Sequence, residues 1–329
     1  MAATVFRRSH QLTSVEILDL RHFASGDLRP LLDQEVETWG STLSWDYRNS
    51  AEMILRYVDA KILPGYAAVE RGSIVGYSFF VYEGGKGVVG DLFVSPRRLD
   101  THRIEAQMAE HVIATLQQSP GIHRVEAQLL MHQTGDLNSC FTTAGFQRYR
   151  RLFLSLELGG AVASGSRVLQ LANNIHVRRW MDQDYQQAAG VITAAYRSHI
   201  DSEINDQYRT HAGSVRFLNN IVRFPGCGVF DPESSFSAVH RPTNSLVGLI
   251  LCSRVKGDVG HVTQVCILPE YRHMGIGEGL IACTANSLRN RNFSLLSLTV
   301  TEMNQRAVAL YRRLGFNETS AFDAFVWEG

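Results

Sequence analysis

One α/β pattern occurs twice in this chain, and that duplication constrains the fold more than any other feature. The segment YAAVERGSIVGYSFF from Tyr66 echoes FSAVHRPTNSLVGLIL from Phe236. Each predicts two short strands rich in Val, Ile and aromatics, joined by a polar turn. Each is followed by a strand that runs into a proline, GDLFVSP ending at Pro96 and TQVCILP ending at Pro269, 173 residues apart. A helix-period segment comes next (Ile104 to Gln118; Glu278 to Arg289), then another strand (from Arg124; from Ser294). A short helix then closes on Gly145-Phe146 or Gly315-Phe316, 170 residues apart, where glycine can take the left-handed geometry that ends a helix. Upstream, a helix pattern opens each half, around Asp27 to Trp39 and Asp182 to Tyr196. The expectation is an α/β protein of the α+β type, with two tandem domains at residues 1–158 and 173–329. The Gly/Ala/Ser-rich stretch at 159–172 joins them as a linker.

Composition removes several function classes. Thirty-two basic residues balance 32 acidic ones, which leaves no excess of cations to neutralise a nucleic acid. No stretch approaches the ~20 apolar residues of a membrane span, and MAATVFRRSH has no apolar signal core, so a cytoplasmic protein without a membrane partner is expected. Five cysteines (Cys140, Cys227, Cys252, Cys266, Cys283) show neither paired nor metal-ligand spacing, so reduced thiols and no metal are expected.

The sharpest local motif is VCILPEYRHMGIGEGL, a strand leading through glycines into a helix. Such a junction brings backbone N–H groups and the positive end of a helix dipole close to an anion, typically a pyrophosphate. It lacks the GK[ST] ending of a P-loop, and Gly279 does not complete GxGxxG, which weakens ATP and NAD readings.

RHMGIG (Arg272 to Gly277) and the later NQRAVALYRRLGF (Asn304 to Phe316) together resemble the GNAT superfamily of N-acetyltransferases, whose signature is [RQ]xxGx[GA]. The resemblance spans Ile175 to about Trp327 and, more weakly, Val15 to Leu158. It implies that each half is a mixed, mostly antiparallel sheet flanked by helices. It also implies acetyl-CoA as acyl donor: the backbone of Arg272, His273, Met274, Gly275, Ile276 and Gly277 would meet the pyrophosphate. The strand edge Val265, Cys266, Ile267 would pair with the pantetheine arm, and Asn304 would help seat it. Tyr311 would be the general acid for the leaving thiolate. Several family members carry the base eleven residues before the signature arginine, which here is His261.

A lysine-like amine has a pKa of ~10.4, so only about one molecule in 10³ is neutral at pH 7, which amounts to roughly 4 to 5 kcal/mol. A histidine suits the task of offsetting part of that, and a strand histidine bonded to a neighbour is the plain alternative. Thr263, two residues on, is a second candidate to hold a water. The acidic segment HIDSEINDQYRTH (His199 to His211) lies where an acceptor loop is expected, and its carboxyl groups suit a cationic amine.

The duplication supplies its own control. Arg272, Gly275, Gly277, His261 and Tyr311 fall opposite Leu99, His102, Ile104, Val88 and Phe141, so the first half retains packing and loses each candidate polar role. The layout resembles tandem-GNAT enzymes such as mycothiol synthase, with the second copy catalytic. The expectation is an acetyl-CoA-dependent N-acetyltransferase acting on a primary amine of a small molecule, as a monomer or homodimer. A protein N-acetyltransferase and a non-catalytic CoA-binding or interaction module are the alternatives.

Overall fold

The computed structural model describes residues 15–159, 174–223 and 228–329. The first half runs β1 (Glu16–Asp19), α1 (Ser25–Thr42), α2 (Arg48–Asp59), β2 (Gly65–Glu70), β3 (Ser73–Glu83), β4 (Lys86–Val94), α3 (Thr101–Gln118), β5 (Arg124–Gln128), α4 (Asn138–Thr143) and β6 (Gln147–Glu157). The second half runs β7 (Ile175–Arg179), α5 (Tyr185–Ala195), α6 (Ile200–Ile204), α7 (His211–Arg223), β8 (Val229–Phe230), β9 (Phe236–His240), β10 (Ser245–Lys256) and β11 (Val259–Ile267). It ends with α8 (Ile276–Asn290), β12 (Leu295–Thr301), α9 (Gln305–Arg313) and β13 (Asn317–Glu328). Each strand and helix anticipated from the repeat forms. The sheet is mixed and mostly antiparallel: only β4 with β5 and β11 with β12 pair in parallel among the described strands.

The two halves exchange their last strands. Along the sheet the order is β1-β2-β3-β4-β5-β13-β6-β12-β11-β10-β9-β7. The final strand of the second half, β13, therefore lies against β5 of the first, in register Ala324 to Gln128 through Glu328 to Arg124. In return β6 lies against β12, from Leu295 with Glu157 to Thr301 with Arg151. Alternation along β13 buries Phe322, Ala324 and Val326 on one face, while on the other Phe325 sits in the core of the first half and Ala321 packs against that of the second, so this one strand reaches the cores of both halves. Of the anticipated linker, only Gly159 falls within the described residues, and Cys227 lies outside them. The other four cysteines are free, and no described helix is long and apolar enough to cross a membrane.

Ion pairs reinforce the seam. Lys86 of β4 meets Glu126 at 3.1 Å and, across the halves, Asp206 at 2.5 Å. Burial pulls the Lys86 ammonium down, but Glu126, Asp206 and Glu83 outweigh it and hold the group above its ordinary value. Glu83 also accepts from Gln207 at 2.8 Å and from Arg216 at 3.0 Å. The first half thus fixes the α6–α7 region of the second.

Candidate functional site

β11 carries a bulge at Thr263: Leu251 of β10 faces Gln264, and the next residue, Cys252, faces Val262. An extra residue bends a strand and increases its twist. The parallel pairing of β11 with β12 accordingly stops at Val262 and Leu298, and beyond that point the two strands part into a V. The Leu268 N–H donates to Val247 on the β10 side. Because successive N–H groups alternate in direction, those of Val265 and Ile267 face the V, while that of Cys266 faces β10. The Cys266 side chain is buried, and its thiol is pushed up by desolvation. At the bulge the Thr263 hydroxyl donates back to the Leu251 carbonyl at 3.2 Å, which leaves its lone pairs as acceptors.

The exposed edge runs into the glycine loop. His273 (φ 64°) and Gly275 (φ 74°) both take left-handed geometry, and Gly275 is the N-cap of α8. No side chain caps that helix, which leaves its first N–H groups directed at the loop. Ile276 is buried in the core, so it can serve a ligand only through its backbone. A Cβ on Gly277 would lie 3.0 Å from Ile267 Cδ1, tying the helix start closely to the end of β11. Met274 is exposed. The Arg272 guanidinium is engaged elsewhere: it donates to the carbonyl of Ala195 at 2.7 Å, a cation at the C-terminal end of α5.

A polar cluster surrounds the V. Asn304 caps α9 by accepting from the Ala307 N–H at 3.3 Å, and its amide lies 3.3 Å from His199 Nε2. Thr301, at the end of β12, donates to Asp201. Burial and the nearby Asp201 push the Tyr311 phenol up, so it retains its proton at neutral pH. Tyr196 donates to Gln264 Oε1 at 2.7 Å and stacks on Tyr208 at 4.3 Å. Of the acidic residues anticipated around an amine, only Asp201 lies here. Glu203 pairs with Arg209, and Asp206 with Lys86. Burial lowers His199, Asp201 opposes that, and Arg272 adds to it.

His261 sits apart from this cluster. It is 5% exposed, set edge-on to Trp45 at 4.8 Å, stacked on Phe153 at 5.8 Å and 2.9 Å from Ser297 Oγ. Desolvation, with a contribution from Arg151, pushes it down to about 3. A group titrating there is a weak proton acceptor against an amine of pKa ~10.4. The surroundings are those of a core histidine, and Trp45, supplied by the first half, has no counterpart in the motif that nominated it. Unfolded, the imidazole takes a proton near pH 6.5, and folded only near pH 3. Between those values the unfolded chain binds the extra proton, so stability falls as pH drops, by about 1.4 kcal/mol per pH unit from this group. His261→Gln is expected to flatten that dependence in denaturant titrations between pH 4 and 7. An unchanged slope would mean that the imidazole titrates normally.

A cleft of about 340 Å³ lies elsewhere, at the seam, between Trp39, Trp45 and Tyr47 of the first half and Arg254 to Gly257 of the β10–β11 turn. That turn is the end of β11 opposite the glycine loop.

Residues 190–316 match the acetyltransferase (GNAT) family. The second half is a GNAT-family domain. Mycothiol acetyltransferase from Thermobifida fusca is 35% identical over 96 residues, which cover 26% of this chain and 29% of that relative. A [ribosomal protein bS18]-alanine N-acetyltransferase from Escherichia coli K12 is 30% identical over 77 residues, covering 23% of this chain and 52% of the relative. The matches thus span about a third to a half of these relatives. A solved tandem GNAT protein from the clavulanic acid biosynthesis pathway shares the fold over 96% of this chain and 98% of its own, with a TM-score of 0.57 and 15% identity. The tandem-GNAT fold therefore extends to the first half.

In that first half the equivalent V is filled. The same bulge recurs at Gly90, and pairing of β4 with β5 ends at Val89 and Ala127. The Leu92 N–H donates to the preceding side chain, Asp91, at 2.8 Å, as the Val265 N–H does to Gln264, but here the Leu92 carbonyl also accepts from His132 Nε2 at 2.8 Å. Phe141, opposite Tyr311, stacks on Phe325 of β13 at 4.2 Å. Ile104 is buried where the GNAT loop has its second glycine, and Leu99 is fully exposed where it has its arginine.

Gln264 and Tyr196 escape the GNAT sequence pattern. The usable signal is the repeat itself, which sets Gln264 opposite Asp91 beside the bulge.

Proposed function

We propose that the second half transfers an acetyl group from acetyl-CoA to a primary amine of a small molecule by direct attack. The carrying observation is the opened V, whose outward strand edge from Val265 to Ile267, with the Val265 N–H held by the Gln264 side chain, leads into the uncapped start of α8 at Gly275. Acetyl-CoA supplies an activated acyl carbonyl and a sulfur leaving group. The Val265 and Ile267 edge pairs with the pantetheine arm, with Cys266 holding the strand to β10. The backbone of His273 to Gly277 takes the pyrophosphate, and Arg272 secures α5 behind it. Asn304 seats the arm, and Tyr311 gives its proton to the departing sulfur.

Proton removal from the amine falls to His199 in preference to His261. His199 is only part-buried, lies beside Asp201 and Asn304, and stays neutral at pH 7 because burial lowers it. The Asp201 carboxyl group suits an incoming ammonium. The first half acts through position, holding the α6–α7 roof by Lys86, Glu83 and Glu126.

The test is release of free CoA thiol from acetyl-CoA with a panel of small amines and of short peptides. Turnover of a small amine, with the peptides inert, is the expected result. The match to an enzyme named for a protein N-terminal alanine favours one second reading, acetylation of protein N-termini, which peptide turnover would establish instead. Binding of acetyl-CoA without turnover of any amine would leave a non-catalytic module.

A further inference from the structure

The Val265 N–H faces the V, yet it is already taken: it donates to the side-chain oxygen Oε1 of its neighbour Gln264 at 2.9 Å. The Gln264 side-chain amide therefore lies in the mouth of the V. Its orientation is determined by its partners. A backbone N–H can only donate, so the atom it meets is the oxygen, and the Tyr196 hydroxyl donates to the same oxygen at 2.7 Å. The opposite end, Nε2, is buried and finds no acceptor among the described residues. A buried donor without a partner is costly, and its presence at a site calls for an explanation.

The first half offers the contrast. Asp91 occupies the same place beside the same bulge. One of its oxygens accepts from the Leu92 N–H and the other from Tyr47 at 2.7 Å. There both ends of the group are satisfied, and neither is an N–H. The half whose loop retains its glycines is the one that leaves a donor open.

We propose that Gln264 is a positioning residue for the acyl group, with Nε2 donating to the acyl carbonyl oxygen. The inference rests on the function proposed above. Two donors on Oε1 draw charge through the amide and sharpen Nε2–H as a donor. Tyr196 fixes the amide in place from the end of α5, which Arg272 in turn secures at Ala195.

Calorimetry with two unreactive ligands tests this: the ketone analogue of acetyl-CoA, with methylene in place of the thioester sulfur, and its counterpart lacking the carbonyl oxygen. The wild type should bind the ketone about tenfold more tightly. Gln264→Leu should erase that preference while leaving affinity for the carbonyl-free ligand unchanged. Gln264→Glu, which retains the shape and the acceptor but replaces the donor, should erase or reverse it, and serves where the leucine variant does not fold. Tyr196→Phe should reduce it. A preference that survives in both Gln264 variants, or is missing from the wild type, overturns the proposal. If the wild type binds neither ligand, the acetyl-CoA reading itself has failed.

Discussion

Tyr311→Phe is expected to lower kcat by about 10² or more while acetyl-CoA binds as before. General acid catalysis contributes about 10² to 10⁴ in rate, and phenylalanine removes the proton donor and little else. The ring is 6% exposed and packs on Phe316 at 5.8 Å, so its shape is needed by the core and is retained in the variant. The phenol is pushed up by burial, so the loss should be seen across neutral pH, where the wild-type group is protonated throughout. Steady-state turnover beside direct binding of acetyl-CoA separates the two effects. Unchanged turnover would remove Tyr311 from the mechanism.

The second large effect concerns the exchanged strands. Deleting residues 317–329 should unfold both halves, because β13 pairs with β5 on one side and β6 on the other. It buries Phe322, Phe325 and Val326 to within 6% exposure. At roughly 1.5 to 3 kcal/mol for each such side chain, the loss is comparable with the whole 5 to 15 kcal/mol stability of a typical domain. The halves 1–158 and 173–329, expressed separately, should each be insoluble, since each lacks a strand that the other supplies. Expressed together they should copurify in equal amounts. A soluble, cooperatively folding first half on its own would contradict this account.

The repeat made most of the fold legible, because strands and helices are set by local periodicity and both copies carry the same pattern. The strand exchange was not legible. A strand such as β13 has the same alternation whichever β5-like edge it joins, and only the three-dimensional path of the chain selects β5 over β12. The bulge at Thr263 likewise shifts which side chains share a face, so counting by twos from His261 picks Thr263 and passes over Gln264. The glycine loop, Asn304 and Tyr311 were nominated from sequence because each belongs to a motif whose residues are close together in the chain. His261 was nominated by spacing alone, and its surroundings come from Trp45 and Phe153, more than a hundred residues away in sequence.

The central claim is an asymmetry: one open V with a glycine loop in the second half, and one filled V in the first. Counting CoA sites by isothermal titration tests it most directly, with Gly275→Val as the companion variant. Valine at φ 74° is strained and masks the start of α8. One site per chain, abolished by Gly275→Val, is the predicted result. Two sites per chain, or a single site that survives the substitution, would contradict the account.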